Sequence, residues 1–327
     1  MRNKIVAPIA LMCGLLFAVP AGGGSTQETL AKVPDQNTYV NDDGATFTGP
    51  PVQTKPNGVG APADVAGQAN TGPFRRIYSK LGYANVRGDV FLPCRAANFA
   101  QSGGKAVESG FAYVGGWGAT DYGAAVDAGF VKSTKQDGST ADNYALFIRI
   151  DRKDGYATLP REQRFGCDHT AHFVFSTTPA GVLTLVGRGY DVHGNPMSPP
   201  PLTMATVVGD GWTAAAAASS ANGALVKRMT TIGQPKGWSD STFGNTLFNP
   251  DWDKSGSYFG HAPGDDKPLI HWTSLEIGRY DPATGKVTWS RWSDGVTRAA
   301  QFFPDSSRII VKENDADDEV VAIDLHS

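Results

Sequence analysis

The sequence has few of the features by which enzymes, membrane proteins and nucleic-acid-binding proteins are commonly recognised. Three of its 327 residues are cysteines, and only 19% are charged. Beyond the N-terminus, no segment is apolar enough to span a bilayer. The net charge is −3 and the basic residues are scattered, which argues against nucleic acid as a partner. The motifs G-x-S-x-G, H-E-x-x-H, G-x-x-x-x-G-K-[ST] and G-x-G-x-x-G are absent.

The N-terminus has the pattern of a secretory signal. Arg2 and Lys4 precede an apolar run from Ile5 to Val19, and Val19-Pro20-Ala21 offers small residues for cleavage. The run is short for a membrane span, so an uncleaved anchor is the less favoured alternative. We therefore predict a signal peptide over residues 1–21 and a secreted, extracellular protein, periplasmic if the source has two membranes.

Residues 22–73 are rich in Gly, Pro, Gln, Asn and Thr and contain few large apolar side chains. Such a segment buries too little surface to offset its ordering entropy. We predict a disordered leader with a short strand near Tyr39, and a propeptide fits the same composition. The remaining residues, 74–327, are predicted to form one domain.

Cleavage of the signal leaves Cys94 and Cys167. In an oxidising compartment the simplest interpretation is one disulfide, closing a loop of about 70 residues and contributing about 4 kcal/mol in the chain-entropy model. Neither cysteine has a C-x-x-C partner, which disfavours a metal site. His169 is close to Cys167 in sequence, and His172 follows at a spacing that places the two histidines on opposite faces of a strand, which disfavours a chelate.

Alternation with period two dominates residues 110–150. Val126, Ala128 and Phe130 share one face of a strand, with Asp127 on the other, and Tyr144 begins a similar alternation. Gly-Gly and Asp-Gly-Ser turns separate the strands, as in antiparallel sheets. About a dozen such strands predict an all-β fold, a large antiparallel β-sandwich of jelly-roll type.

The C-terminal part offers an alternative fold. Ile270–Tyr280 and Lys286–Trp292 are predicted to form one hairpin, and Arg298–Phe303 and Arg308–Glu313 a second. Together they are similar to one blade of a β-propeller. A propeller repeats its blade every 40–50 residues or so, and this pattern occurs once.

Four segments of the sequence are similar to segments of other proteins: Ala125–Phe130, Asn143–Ile150, Leu225–Gln234 and His271–Gly278. They resemble segments of uncharacterised secreted bacterial proteins, for which a concanavalin-A-like lectin or glucanase sandwich is expected. The resemblance covers residues 78 to 292. It implies a fold and a compartment but no chemistry.

Catalytic residues are poorly indicated. Retaining glucanases of the sandwich type place two acids on one strand, because their carboxyls must lie about 5 Å apart. The corresponding strand here has only Asp127, and a lone strand aspartate is more often solvated or hydrogen-bonded. Glu276 could approach it from another strand. Both are candidates only.

A calcium loop is a further candidate. Residues 251–257 reproduce the start of a D-x-D-x-S-G loop, with oxygen ligands at alternate positions. The closing glutamate is missing, and a solvated acidic turn is the favoured alternative. The candidate ligands are Asp251, Asp253, Ser255, Ser257 and Asp265. No other cofactor is predicted.

The long polar segment from Gly233 to Lys267 supplies candidate ligand-binding residues. Rings beside polar groups suit the faces of sugars. Trp272, on a strand, is expected in the core instead. The ligand-binding candidates are Trp238, Trp252, Tyr258 and Asn249.

These observations predict a secreted carbohydrate-binding or cell-surface-associated protein without catalysis, with an extracellular polysaccharide as its partner. A polysaccharide hydrolase or lyase is the alternative, and a propeller-like interaction module is the third hypothesis. An acid–base pair on a binding surface would favour the enzyme.

Overall fold

The computed structural model describes the chain in segments. These are residues 31–32, 38–40, 46–48, 73–94, 97–99, 101–102, 105–106, 108–119, 125–134, 140–150, 156–207, 209–233, 257–260, 269–295, 301–303, 309–312 and 317–325. The predicted signal peptide and most of the predicted leader lie outside them. The strand expected near Tyr39 is found, as the middle member of a small three-stranded sheet.

The described residues form 24 strands and two short helices. The strands are β1 (Ala31–Lys32), β2 (Thr38–Val40), β3 (Thr46–Thr48), β4 (Phe74–Tyr78), β5 (Asn85–Leu92), β6 (Ala97–Asn98), β7 (Gln101–Ser102), β8 (Lys105–Ala106), β9 (Ser109–Trp117), β10 (Ala125–Thr134), β11 (Thr140–Ile150), β12 (Tyr156–Thr158), β13 (Phe165–Gly166), β14 (His169–Thr177), β15 (Val182–Tyr190), β16 (Pro196–Met197), β17 (Leu202–Ala205), β18 (Leu225–Gly233), β19 (Tyr258–Phe259), β20 (Ile270–Tyr280), β21 (Val287–Arg291), β22 (Gln301–Phe303), β23 (Ile309–Lys312) and β24 (Glu319–Asp324). The helices are α1 (Ala214–Ala217) and α2 (Trp292–Gly295), and a 3-10 turn spans Arg161–Gln163.

Two large antiparallel sheets contain most of the described strands, and β1–β3 and β7–β8 form two small ones. The first has the order β12-β11-β10-β9-β18-β4-β22, with β13 also on β11. The second has the order β16-β15-β14-β5-β20-β24-β19-β6, with β17, β21 and β23 on β15, β20 and β24. One apolar cluster takes side chains from the facing sides of both sheets, among them Val126, Phe130, Val90 and Phe173. The predicted all-β sandwich is therefore the fold.

The propeller alternative is not needed, because the segment that resembled a blade is divided between the sheets. Its first hairpin is confirmed, since β20 pairs with β21. The second predicted hairpin is wrong. Strand β22 pairs with β4 in the first sheet, whereas β23 pairs with β24 in the second. The strands β22 and β23 therefore belong to different layers of the sandwich.

The two sheets differ in what their outer faces meet. In the second sheet, burial alternates along β5, β14 and β15, as expected when one face packs and the other meets water. In the first sheet, β9 and β18 are buried at every position. The first sheet is thus shielded from water on both faces around these two strands.

A buried group of three charges joins the layers. Glu319, on β24 of the second sheet, accepts hydrogen bonds from Arg75 Nε at 2.8 Å and from Arg228, which belong to β4 and β18 of the first sheet. All three side chains are at most 2% exposed. Trp272 adds a second link, since its indole N–H donates to Thr230 at 3.1 Å. Buried charges of this kind are tolerated only with partners.

The predicted disulfide is present. Cys94 follows β5 and Cys167 precedes β14, two strands that pair, and their Cα atoms lie 4.8 Å apart. None of the described helices is long and apolar enough to cross a membrane.

Candidate functional site

A row of side chains crosses the outer face of the first sheet, the face turned away from the second sheet. The pairing register aligns Arg149, Asp127, Gly115, Lys227 and Tyr78 on five neighbouring strands. We call these residues the ion-pair row. The next row, on the same face, contains Phe147, Gly129, Tyr113, Met229 and Arg76.

The centre of the ion-pair row is a contact of 2.7 Å between the Lys227 ammonium and the Asp127 carboxylate. Their strands are separated by β9, so the two backbones are about 10 Å apart. The long lysine side chain spans that distance because Gly115 lies between them. A Cβ at position 115 would come within 2.0 Å of the Val126 carbonyl oxygen, and the φ angle of +138° also favours glycine.

Aromatic rings surround the ammonium group. Lys227 Nζ lies 4.7 Å from the ring centre of Trp117 and 5.1 Å from that of Tyr113. The Tyr78 ring packs against Trp117 with centroids 5.7 Å apart. In the neighbouring row, the Arg76 guanidinium lies 4.9 Å from the Tyr78 ring. Cations over ring faces are attracted by the ring quadrupole, more strongly where water is excluded.

Burial controls the acid–base properties of this face. It lowers the pKa of Lys227, and Asp127 only partly offsets the effect, while Arg76 and Arg149 lower it further. Burial also lowers the pKa of Arg76 and raises the pKa of the Tyr113 hydroxyl. The face therefore brings together an amine, two phenols and a guanidinium group, those of Lys227, Tyr78, Tyr113 and Arg76, whose proton affinities depart from their values in water. Such a combination is typical of functional sites.

The structure separates the two carboxylates predicted as catalytic candidates. Asp127 lies in the ion-pair row, whereas Glu276 lies on β20 of the second sheet. Glu276 makes a contact of 2.5 Å with Arg87 and is 36% exposed. The two acids are thus on different sheets, each paired with a cation from a neighbouring part of its own sheet.

The predicted ligand-binding residues lie mostly outside the described residues, and this applies to Trp238, Trp252 and Asn249. Tyr258 is described. It lies on β19, paired with Asn98 and Asp324, and its side chain is half-buried. Burial raises its pKa, and so does Asp324. Trp272 is in the core, as expected, with 1% exposure.

The predicted calcium ligands Asp251, Asp253, Ser255 and Asp265 also lie outside the described residues. Ser257 is fully buried, and its hydroxyl donates to the Glu108 carboxylate at 2.6 Å. Glu108 is a buried acid that sequence reasoning missed. Cys94, Asp142 and Cys167 bring possible metal-binding atoms within 4.8 Å of one another, but the two sulfurs form the disulfide.

The two histidines that were not expected to chelate a metal are engaged elsewhere. His172 contacts Asp89 at 2.9 Å on the outer face of the second sheet. The His169 ring packs on Tyr190, with centroids 4.9 Å apart.

A second buried lysine lies on the other face of the first sheet. Lys132 is 1% exposed, and its ammonium group lies 4.7 Å from the Tyr144 ring. It has no hydrogen-bond partner among the described residues. Burial lowers its pKa from 10.5 to about 8, although Asp142 and Asp168 act in the opposite direction. Burial of the Lys132 charge therefore costs free energy that no carboxylate contact offsets among the described residues, in contrast to Lys227.

Comparisons with known proteins give only distant matches. No family model and no curated protein matches the sequence. Two crystal structures of scytalido-glutamic peptidase, each with a transition-state analogue, are similar in fold. The first is 12% identical with a TM-score of 0.39 over 79% of this chain and 100% of that one. The second is 11% identical with a TM-score of 0.38 over 77% and 98%. Likeness at this level says nothing about activity.

The ion pair predicts a specific pattern of stabilities. Asp127→Asn leaves the Lys227 ammonium buried without a countercharge, and we expect a loss of about 3–5 kcal/mol in the free energy of unfolding. The double variant Asp127→Asn with Lys227→Met removes both charges and should recover most of that loss. Urea unfolding at pH 7 measures both. A double variant no more stable than the single one would contradict this account.

For Lys132 we expect that removal of the charge stabilises the protein, whereas loss of Asp127 destabilises it. Below pH 8 its ammonium is charged in both the folded and unfolded states, so the cost of burial is fully present. Between pH 8 and 10.5 the unfolded state binds more protons, and stability rises with pH. Lys132→Met should therefore stabilise the protein at pH 7 by about 3 kcal/mol, at 1.36 kcal/mol per pKa unit.

The same urea unfolding at pH 7 and pH 10 tests this expectation. The advantage of Lys132→Met over the wild type should shrink at the higher pH. Lys227→Met, which leaves Asp127 unpaired, is the matched control and should destabilise. A destabilising Lys132→Met would show that the lysine is better compensated than its surroundings indicate.

Proposed function

We propose that the protein is exported and binds a polysaccharide on the outer face of the first sheet, around the ion-pair row. The single observation that carries the proposal is the combination on this face of hydrogen-bonding charged groups and aromatic rings. Sugars present C–H faces that pack on rings and hydroxyls that need donors and acceptors. The N-terminal signal pattern and the resemblance to secreted bacterial proteins support export. The concanavalin-A-like form of the sandwich belongs to the same proposal.

The location differs from that of the loop residues expected to bind sugar. The face is shielded in this structure, with Lys227 1% and Asp127 5% exposed. Binding therefore requires these side chains to become accessible to the ligand. Trp238, Trp252 and Asn249 remain predictions for the edge of the binding surface, whereas Tyr258 lies on β19 of the second sheet and does not belong to this face.

Catalysis is the second candidate, favoured by the acid–base pair. A hydrolase needs two carboxyls facing one glycosidic bond, and Asp127 is the one carboxylate on the part of this face that the structure describes. A lyase fits better. An amine with a lowered pKa, such as Lys227, could remove the proton next to a sugar carboxylate. A C=C bond then forms as the C–O bond to the leaving sugar breaks, and Tyr113 could protonate the leaving oxygen.

Binding to soluble and insoluble polysaccharides tests the proposal. We expect wild-type protein to be retained by at least one polysaccharide, and the double variant Asp127→Asn with Lys227→Met to lose at least about tenfold in affinity. Lys132→Met, a buried lysine on the opposite face, should bind as the wild type does.

Variants Trp238→Ala and Trp252→Ala test the loop residues in the same assay. Retention by no polysaccharide, or equal retention of the double variant and the wild type, would refute binding at this face. Unsaturated sugar products released by the wild type would instead establish the lyase.

Calcium at residues 251–257 is the remaining proposal. A ligand that binds only the folded state stabilises it by mass action, by about 2.7 kcal/mol at a hundred times its dissociation constant. We expect calcium to raise the melting temperature, and Asp251→Asn with Asp253→Asn to abolish the rise. Glu162→Gln, at an exposed acid elsewhere, is the control. An unchanged melting temperature of the wild type in chelator would rule out the site.

A further inference from the structure

The outer face of the first sheet is closed to water, although it is turned away from the second sheet. An apolar cluster lies on it, and five of its large side chains have 0% exposure: Phe74, Phe111, Tyr113, Phe147 and Met229. In an uncovered sheet, one face packs on the core and the other meets water, so rings of this size would be largely exposed. Another part of the chain must therefore lie over this face.

Few of the described elements are placed to form this cover. The two large sheets contain most of the strands, and both helices pack against β20 of the second sheet. The described elements that are left are the hairpin β7–β8, with two residues in each strand, and the small sheet β1–β3. This small sheet belongs to the N-terminal leader, residues 22–73. We infer that the leader is the cover, and that it folds back over the outer face of the first sheet and packs on its aromatic cluster.

The path of the chain suits this arrangement. Strand β3 of the leader lies beside β8, which leads into β9 of the first sheet. The leader ends at Pro73, whose carbonyl accepts hydrogen bonds from the Thr231 hydroxyl at 2.8 Å and from the Ile232 backbone N–H at 3.2 Å. Thr231 pairs with both Phe74 and Phe111, so the leader joins the sheet beside the aromatic cluster.

The leader is also long enough to cover the face. Seven strands at a spacing of about 4.8 Å span roughly 30 Å. About fifty residues in extended conformation reach well over 100 Å, so the leader can cross the sheet more than once.

Charge favours the leader over the other long segment that adjoins this sheet. Among its described residues the face carries Arg76, Arg149 and Lys227 with one carboxylate, that of Asp127. The leader contains five acidic residues and two lysines, whereas residues 234–256, which follow β18, contain three acidic residues and two lysines. The leader therefore has the larger negative charge and is the better match for a basic face.

The cover bears on the site described above. A ligand for the outer face would compete with the leader for the same surface. The inference itself does not depend on the proposed function, because it concerns how the chain packs on itself and its test needs no ligand.

Amine labelling of the full chain tests the cover. A protease recognition site is inserted between residues 69 and 70, and acylation of the lysines is followed by peptide mass spectrometry. Labelling is compared before the cut and after the released leader has been removed by gel filtration in high salt. We expect Lys227 to react at least about tenfold faster after the cut, since a buried amine reacts only through local opening. A peptide of residues 22–69, added back, should restore the protection.

Two other lysines are the controls in the same sample. Lys132 is buried inside the sandwich and should stay protected, and Lys312 is exposed on β23 and should react equally fast in both forms. Protection of Lys227 without the leader would show that another segment covers the face and would overturn the inference. Labelling of Lys132 together with Lys227 would also overturn it, because the leader would then belong to the core of the domain. Neither outcome decides whether the protein binds a polysaccharide, which the earlier assay measures separately.

A second test leaves the chain uncut. Asp42→Asn with Asp43→Asn makes the leader less acidic, and we expect labelling of Lys227 to become about threefold faster, as for the loss of a weak ion pair. Glu162→Gln neutralises an exposed acid outside the leader and should react as the wild type does. Equal rates in the two variants would contradict the choice of the leader on the basis of its charge.

Discussion

The structure depends on ion pairs that neutralise charges which the first sheet carries into regions without water, with Lys132 as the exception among the described residues. On its inner face, Arg75 and Arg228 meet Glu319, which reaches them from the second sheet. On its outer face, Lys227 meets Asp127 across an intervening glycine. Unpaired, each of these groups would cost several kcal/mol. These ion pairs thus fix the position of one sheet against the other and of β18 relative to β10, in addition to the apolar packing.

The architecture was largely readable from the sequence because period-two alternation reports which residues face a core. Val126, Ala128 and Phe130 were placed on one face of their strand and Asp127 on the other, and the apolar core contains those three but not the aspartate. The disulfide was also predictable, since only Cys94 and Cys167 lie outside the predicted signal peptide. These inferences use local spacing or simple counting, and neither requires knowledge of which strands are neighbours.

Most of the candidate site could not be predicted from the sequence, because it depends on which strands are neighbours. A lone aspartate on a strand has the same local pattern whether it faces water or a lysine from a distant strand. Lys227 and Arg149 likewise follow the alternation of ordinary solvated positions, and only burial of the outer face distinguishes them. The prediction of a turn at Gly115-Gly116 was wrong, since both residues lie within β9, and adjacent glycines within a strand indicate close approach of the neighbouring strands. The misplaced second hairpin has a similar origin, since turn residues do not reveal whether the chain returns or crosses to the other layer.

The position of the disulfide separates the two partners of the ion pair on the outer face. The bridge encloses β6 to β13, including the strand that carries Asp127, whereas Lys227 lies on β18, well beyond it. The covalent loop therefore limits the unfolded conformations of the strand that carries the aspartate but not those of the strand that carries the lysine. When the oxidised chain folds, the ion pair has to form between a segment inside the loop and a segment outside it.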